Sequence, residues 1–140
     1  MKLDTDAEGR PRPEPLTQAA RILVVDDDED LVEVMTIALT AVGYDVDAAR
    51  NGFAALERLE ANPYDLVISD LDMPGLDGPG LYLEMTRRWP ASTPRVLFVS
   101  GFADTAEYVG FLNATNVPVL VKPFDLDDLR QLVGRRLEKP

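Results

Sequence analysis

The chain has 140 residues, enough for one domain with a sizeable core and too few for two. It contains no Cys and no His, which removes disulfides, thiol nucleophiles, Ser-His-Asp triads, zinc sites built on His or thiolate, and any phosphohistidine of its own. Lys+Arg number 14 against Asp+Glu 25, a net charge of −11; this argues against nucleic acid as a partner and suits a protein that handles cations or meets basic surfaces.

Residues 1–20 come first in chain order. Pro11, Pro13 and Pro15 alternate with charged residues, which predicts a disordered or extended tail ahead of a domain over 21–140. The segment lacks the apolar centre of a signal peptide. No apolar run in the chain approaches the roughly 18 residues of a membrane span. These missing signals predict a cytoplasmic protein with no membrane partner.

From Arg21 onward, strand and helix patterns alternate. The strand candidates are 21–26, 44–48, 65–69, 95–100 and 118–121. The first, third and fourth are continuous apolar runs, the pattern of strands covered on both faces. The first helix places Leu31, Val34, Met35, Ala38, Leu39 and Val42 on one face, with Gly43 as its stop. The second starts near Asn51 and ends before Pro63. The third lies between Pro79 and Trp89 with Leu81 and Met85 inward. The fourth, about 103–114, is weakly patterned. The fifth starts at Asp125 and aligns Leu126, Leu129, Val133 and Leu137. Five strands and five helices with short connections predict an α/β fold, a doubly wound parallel sheet whose ligands sit at the carboxyl ends of the strands. The chain stops after the fifth helix, so no output domain is expected.

Charged residues collect at those ends. Ile22-Leu23-Val24-Val25 runs into Asp26-Asp27-Asp28, Leu66-Val67-Ile68-Ser69 into Asp70, and Val119-Leu120-Val121 into Lys122. With strand order 2-1-3-4-5, Asp26, Asp27 and Asp70 would crowd together, each raising the others' pKa. A hard dication removes that conflict, and Mg²⁺ takes such oxygen ligands. Asp28, Glu29 and Asp30 read instead as first-turn acids that offset a helix dipole. Lys122 faces the acids as a cation for a phosphoryl oxygen. Ser100, ending the fourth strand before Gly101, offers it a hydroxyl. The chemistry that fits is phosphoryl transfer to the carboxylate of Asp70.

These residues resemble the receiver domain of two-component response regulators, over about residues 21–138. The similarity lies in Ile22–Asp28, in the stretch Asp65–Gly78 and in Val121-Lys122-Pro123-Phe124. The resemblance implies a flavodoxin-like fold and a protein that is not an enzyme with a separate substrate. Asp70 would be the phosphoacceptor, fed by a sensor histidine kinase or a histidine phosphotransfer protein. Asp27 would bind Mg²⁺ directly, with Mn²⁺ able to substitute; Asp26 would help, partly through water, and the backbone carbonyl of Asp72 would complete the set. Ser100 and Lys122 would follow the phosphoryl group, and Lys122-Pro123 would be a cis peptide. The helix 4–strand 5–helix 5 face would meet a downstream protein. Phe102-Ala103-Asp104 and Pro118-Val119-Leu120 are similar to receivers that work beside hybrid kinases. One departure stands out: Val119 occupies a position where the family usually carries Tyr or Phe, leaving Phe98, Phe102 and Tyr108 as aromatic candidates for its role.

Two alternatives differ in class. Asp70-Leu71-Asp72 also resembles the Asp-x-Asp of haloacid-dehalogenase-type phosphatases. Against this, Met73-Pro74 follows, and the paired acids come first in the chain. A pseudo-receiver would be a binding module that is never phosphorylated, although Asp27, Asp70, Ser100 and Lys122 are all present.

Overall fold

The computed structural model describes residues 19–138. The expected tail therefore lies outside the described residues, except for Ala19 and Ala20. Five parallel strands, β1 (Arg21–Val25), β2 (Asp45–Ala49), β3 (Leu66–Ser69), β4 (Arg95–Gly101) and β5 (Val119–Lys122), form one sheet in the order β2-β1-β3-β4-β5. This is the expected flavodoxin-like order, with helices on both faces.

The apolar runs explain the two layers. Successive strand residues point to opposite faces. Leu23, Val25, Val67, Val96 and Phe98 enter one cluster, with Leu56, Leu81, Met85 and Leu112 from the helices covering it. Ile22, Val24, Leu66, Ile68, Leu97 and Val99 enter the other, against Met35, Leu39, Leu129 and Val133. The helices are α1 (Glu29–Ala41), α2 (Gly52–Ala61), α3 (Gly78–Arg88), α4 (Phe102–Glu107), α5 (Val109–Thr115) and α6 (Leu126–Leu137). Thus α1 and α6 cover one face, and α2, α3 and α5 the other.

Caps fall where short polar side chains precede the helices. Asp28 Oδ1 accepts from the N–H groups of Asp30 and Leu31, Asn51 from Ala54, Asp77 from Gly80 and Asp125 from Asp128. Gly43, at φ 108°, takes the left-handed turn that ends α1.

Two expectations are corrected. Val34 and Val42 do not share the buried stripe of α1: they are 45% and 52% exposed. Val34 lies roughly a quarter-turn from the stripe's centre, and Val42 follows the last helical residue. The expected fourth helix is two helices broken at Tyr108, so there are six among the described residues. None of α4's side chains is buried, and Tyr108 turns inward with φ −99° and ψ 16°. With no apolar stripe to hold one straight axis, the chain bends where Tyr108 finds a partner. Among the described residues no helix is long and apolar enough to cross a membrane.

Candidate functional site

The site follows from register. Val25 pairs with Ser69, so Asp26 and Asp70 leave adjacent strands side by side. The N–H of Asp70 donates to Val25 O at 3.0 Å, and that of Asp26 to Ala49 O at 3.2 Å. On the other side, Ser100 pairs with Val121 and Gly101 with Lys122. Lys122 Nζ lies 3.7 Å from both Asp26 Oδ2 and Asp70 Oδ2. The buried Ser100 hydroxyl donates to Asp70 Oδ1 at 2.9 Å.

Asp26, Asp27 and Asp70 each present a carboxylate oxygen within 4.8 Å of the others. Asp26 and Asp70 are buried, whereas Asp27 is exposed. Burial, with the neighbouring Asp70 and Asp27 adding to it, pushes Asp26 up to about 6 despite the Asp28 N–H and Lys122. Burial also raises Asp70, while Lys122, the Ser100 hydroxyl and the N–H groups of Asp72 and Leu71 oppose it. Asp26 Oδ1 accepts from Asp28 N at 2.9 Å, but its buried Oδ2 has no hydrogen-bond partner. An orphaned carboxylate oxygen beside two further carboxylates fits a hard divalent cation, which takes oxygen donors.

The site thus gathers every side chain picked from the sequence for this chemistry: Asp26, Asp27, Asp70, Ser100 and Lys122. Asp72 sits on the adjoining turn with its side chain exposed and its N–H turned to Asp70. The Asp28 side chain caps α1 from just before its first turn, where Glu29 and Asp30 sit, and is not among the three clustered carboxylates. The Lys122–Pro123 peptide is cis.

Residues 22–134 match the model of the response regulator receiver domain. The chain belongs to that receiver family. The receiver is 37% identical to the response regulator receiver protein CpdR of Brucella abortus over 119 residues, 84% of this chain and 96% of CpdR. It is 32% identical to the regulatory protein AtoC of Escherichia coli, covering 88% of this chain but 26% of AtoC. Among solved structures, the chemotaxis protein CheY4 of Vibrio cholerae superposes with a TM-score of 0.77 at 26% identity, over 85% of this chain and 99% of CheY4. The response regulator TrrA of Thermotoga maritima, in complex with Mg²⁺ and BeF, gives 0.73 at 31% identity, over 84% and 99%.

Two residues around the receiver's pocket, Asp104 and Asp77, escaped the sequence reading of the site, and Tyr108 entered it only as an aromatic candidate. Asp104 Oδ2 stands 3.5 Å from Ser100 Oγ; its signal was the spacing of four from Ser100 across a helix start. Asp77 caps α3 and accepts from the Tyr108 hydroxyl at 3.2 Å; an Asp just before Gly-Pro was a cap signal. The tie between Tyr108 and Asp77 had no local signal, because the two lie 31 residues apart. Val119 is half-buried and pairs with Phe98. Of the aromatic candidates, Phe98 is fully buried edge-on to Phe111, with ring centres 5.8 Å apart, and Phe102 is 77% exposed.

Proposed function

We propose that this receiver is a phosphoacceptor in a two-component or phosphorelay system, taking a phosphoryl group from a partner's phosphohistidine onto Asp70. The observation that carries this reading is the joint approach of Lys122 Nζ to Asp26 and Asp70 at 3.7 Å, beside a serine hydroxyl on the same carboxylate. An Asp70 carboxylate oxygen attacks phosphorus. The phosphorus–nitrogen bond to the donor imidazole breaks, and its electron pair stays on the ring nitrogen. Lys122 neutralises a phosphoryl oxygen, and Ser100 turns its proton from Asp70 to another. Asp26, Asp27, Asp70 and the Asp72 carbonyl would hold Mg²⁺, or Mn²⁺ in its place, which supplies charge neutralisation during transfer. TrrA, similar in fold and solved with Mg²⁺ and BeF, supports that reading.

The partners are then a sensor histidine kinase or histidine phosphotransfer protein upstream, and a protein target at the α4–β5–α6 face downstream. The net charge of −11 supports a protein target over nucleic acid. The chain works in the cytoplasm and modifies only itself, with 21–140 as its receiver unit.

Intact mass before and after a small phosphodonor with Mg²⁺ tests this directly. The wild type gains one phosphoryl group and Asp70→Asn gains none. A wild type that gains none would leave a binding module, and phosphate passed on to a small-molecule acceptor in multiple turnovers would point to a phosphatase. Lys122→Ala separates the roles further. Mg²⁺ affinity measured by calorimetry should stay within about threefold. Beryllofluoride affinity should fall at least tenfold, the loss of about 1.5–3 kcal/mol for a charge-assisted hydrogen bond. Equal beryllofluoride affinity in both proteins would remove Lys122 from the phosphoryl site.

A further inference from the structure

The segment after Ser100 is short of anchors. Helix α4 has six residues and α5 seven, lengths that do not hold a helix in water without tertiary support. Neither has a side-chain cap, α4 buries none of its own side chains, and α5 buries Leu112. The apolar core therefore holds α4 only at its end, where the Tyr108 ring packs against the cluster of Leu81, Phe98 and Leu112.

Polar ties act at both ends of α4, and both lead to the acidic pocket. At the start, Ser100 donates to Asp70 at 2.9 Å, and the Thr105 hydroxyl returns to Gly101 O at 2.9 Å. At the far end, Tyr108 forms the joint with α5 and its hydroxyl donates to Asp77 Oδ2 at 3.2 Å. Burial and then the Asp77 and Asp72 carboxylates push that hydroxyl up to about 12, so it stays a donor across the range in which proteins work.

Asp77 closes the loop that begins at Asp70. Its Oδ1 accepts from Gly80 N at 2.8 Å, and Gly78 N donates to Leu71 O at 2.9 Å. The loop is seated so closely that a Cβ on Gly78 would stand 2.6 Å from Asp70 O. A displacement at Asp70 or Asp72 is thereby passed to Asp77. The outer side of α4 and its joint exposes Phe102 and Val109, at 77% and 52%.

We propose that Tyr108 is a positioning residue: through Asp77 it makes α4, and the apolar Phe102 and Val109 at its two ends, follow the state of the acidic pocket. The inference rests on the phosphoacceptor reading above. Ser100 alone would move one end of α4 and let the rest pivot. With Tyr108 tied to the β3–α3 loop, both ends answer to the same carboxylate.

Backbone amide shifts on adding Mg²⁺ and beryllofluoride test it, in the wild type, Tyr108→Phe and Asp77→Ser. Phe keeps the ring; Ser keeps the α3 cap but is too short to reach Tyr108. In the wild type, shifts are expected at Asp70, Gly101 and Lys122 and also at Phe102, Val109 and Gly110. In each variant the shifts at Val109 and Gly110 should shrink at least twofold, with Asp70 and Lys122 unchanged and Phe102 still answering through Ser100, and the double variant should add no further loss. A full response of Val109 and Gly110 in Tyr108→Phe overturns the inference. So does a loss in Tyr108→Phe that Asp77→Ser does not share, because the route then avoids Asp77. No shift at Asp70 and Lys122 in the wild type would overturn the phosphoacceptor reading itself, and this inference with it.

Discussion

Asp26→Asn should be more stable than the wild type in chelator above pH 6 and lose that advantage below pH 4. The Asp26 carboxyl goes from 3.8, its ordinary value, to about 6 in the fold. A raised acid holds its proton in the folded state while the unfolded chain has already released it. Its favourable contribution is complete below the unfolded value and is lost as pH rises through the folded one. Above pH 6 the ionised, nearly inaccessible carboxylate weakens the fold by about 3 kcal/mol. Asn keeps the acceptor for Asp28 N and removes the charge, so the melting temperature should rise by roughly 5–10 °C. Saturating Mg²⁺ should reverse the order, since a ligand held by the folded state alone stabilises it and Asn removes a carboxylate from the cluster. A variant less stable in chelator at every pH would refute the penalty assigned to burying this carboxylate. Asp26 is buried while its neighbour Asp27 is exposed, a distinction that two adjacent acids in a sequence do not reveal.

Gly78→Ala is expected to lose about 3 kcal/mol and to be phosphorylated poorly even where it remains folded. The new Cβ would meet Asp70 O at 2.6 Å, Leu71 Cα at 2.9 Å and Phe98 Cε1 at 2.9 Å. Two of these atoms are backbone and the third belongs to a fully buried ring, so none can yield cheaply. The strain falls on the loop that carries Asp72 and on the residue proposed to receive phosphate. Gly134→Ala is the control. Nothing lies within 4 Å of its Cβ, and alanine inside α6 should add about 1 kcal/mol. Urea melts of both variants, with the extent of phosphorylation, check the pair. Equal stability for Gly78→Ala and the wild type would mean that the loop is looser than its contacts indicate.

The three inner strands β1, β3 and β4 are legible in the chain because they are buried on both sides. A run such as Leu66-Val67-Ile68-Ser69 needs no alternation to declare itself, and Asp26, Asp70 and Lys122 at the ends of β1, β3 and β5 mark the rim of the sheet. The segment 102–115 was not legible as two helices. It has no continuous apolar face, so its bend is set by Tyr108 reaching Asp77 across 31 residues. Val34 misled for a different reason: helical spacing tolerates a residue at the flank of a stripe, and only packing shows which flank is covered.

Local pattern alone determined the βα alternation, the cap at Asn51, the helix start at Asp125, and the acids and lysine at strand ends, because each depends on neighbours in the chain. The tertiary structure decided which of the paired acids turns inward, that Lys122 stands between Asp26 and Asp70, and that Tyr108 ties α4 to the pocket. Those outcomes depend on distances between strands and helices far apart in sequence, which no local periodicity encodes.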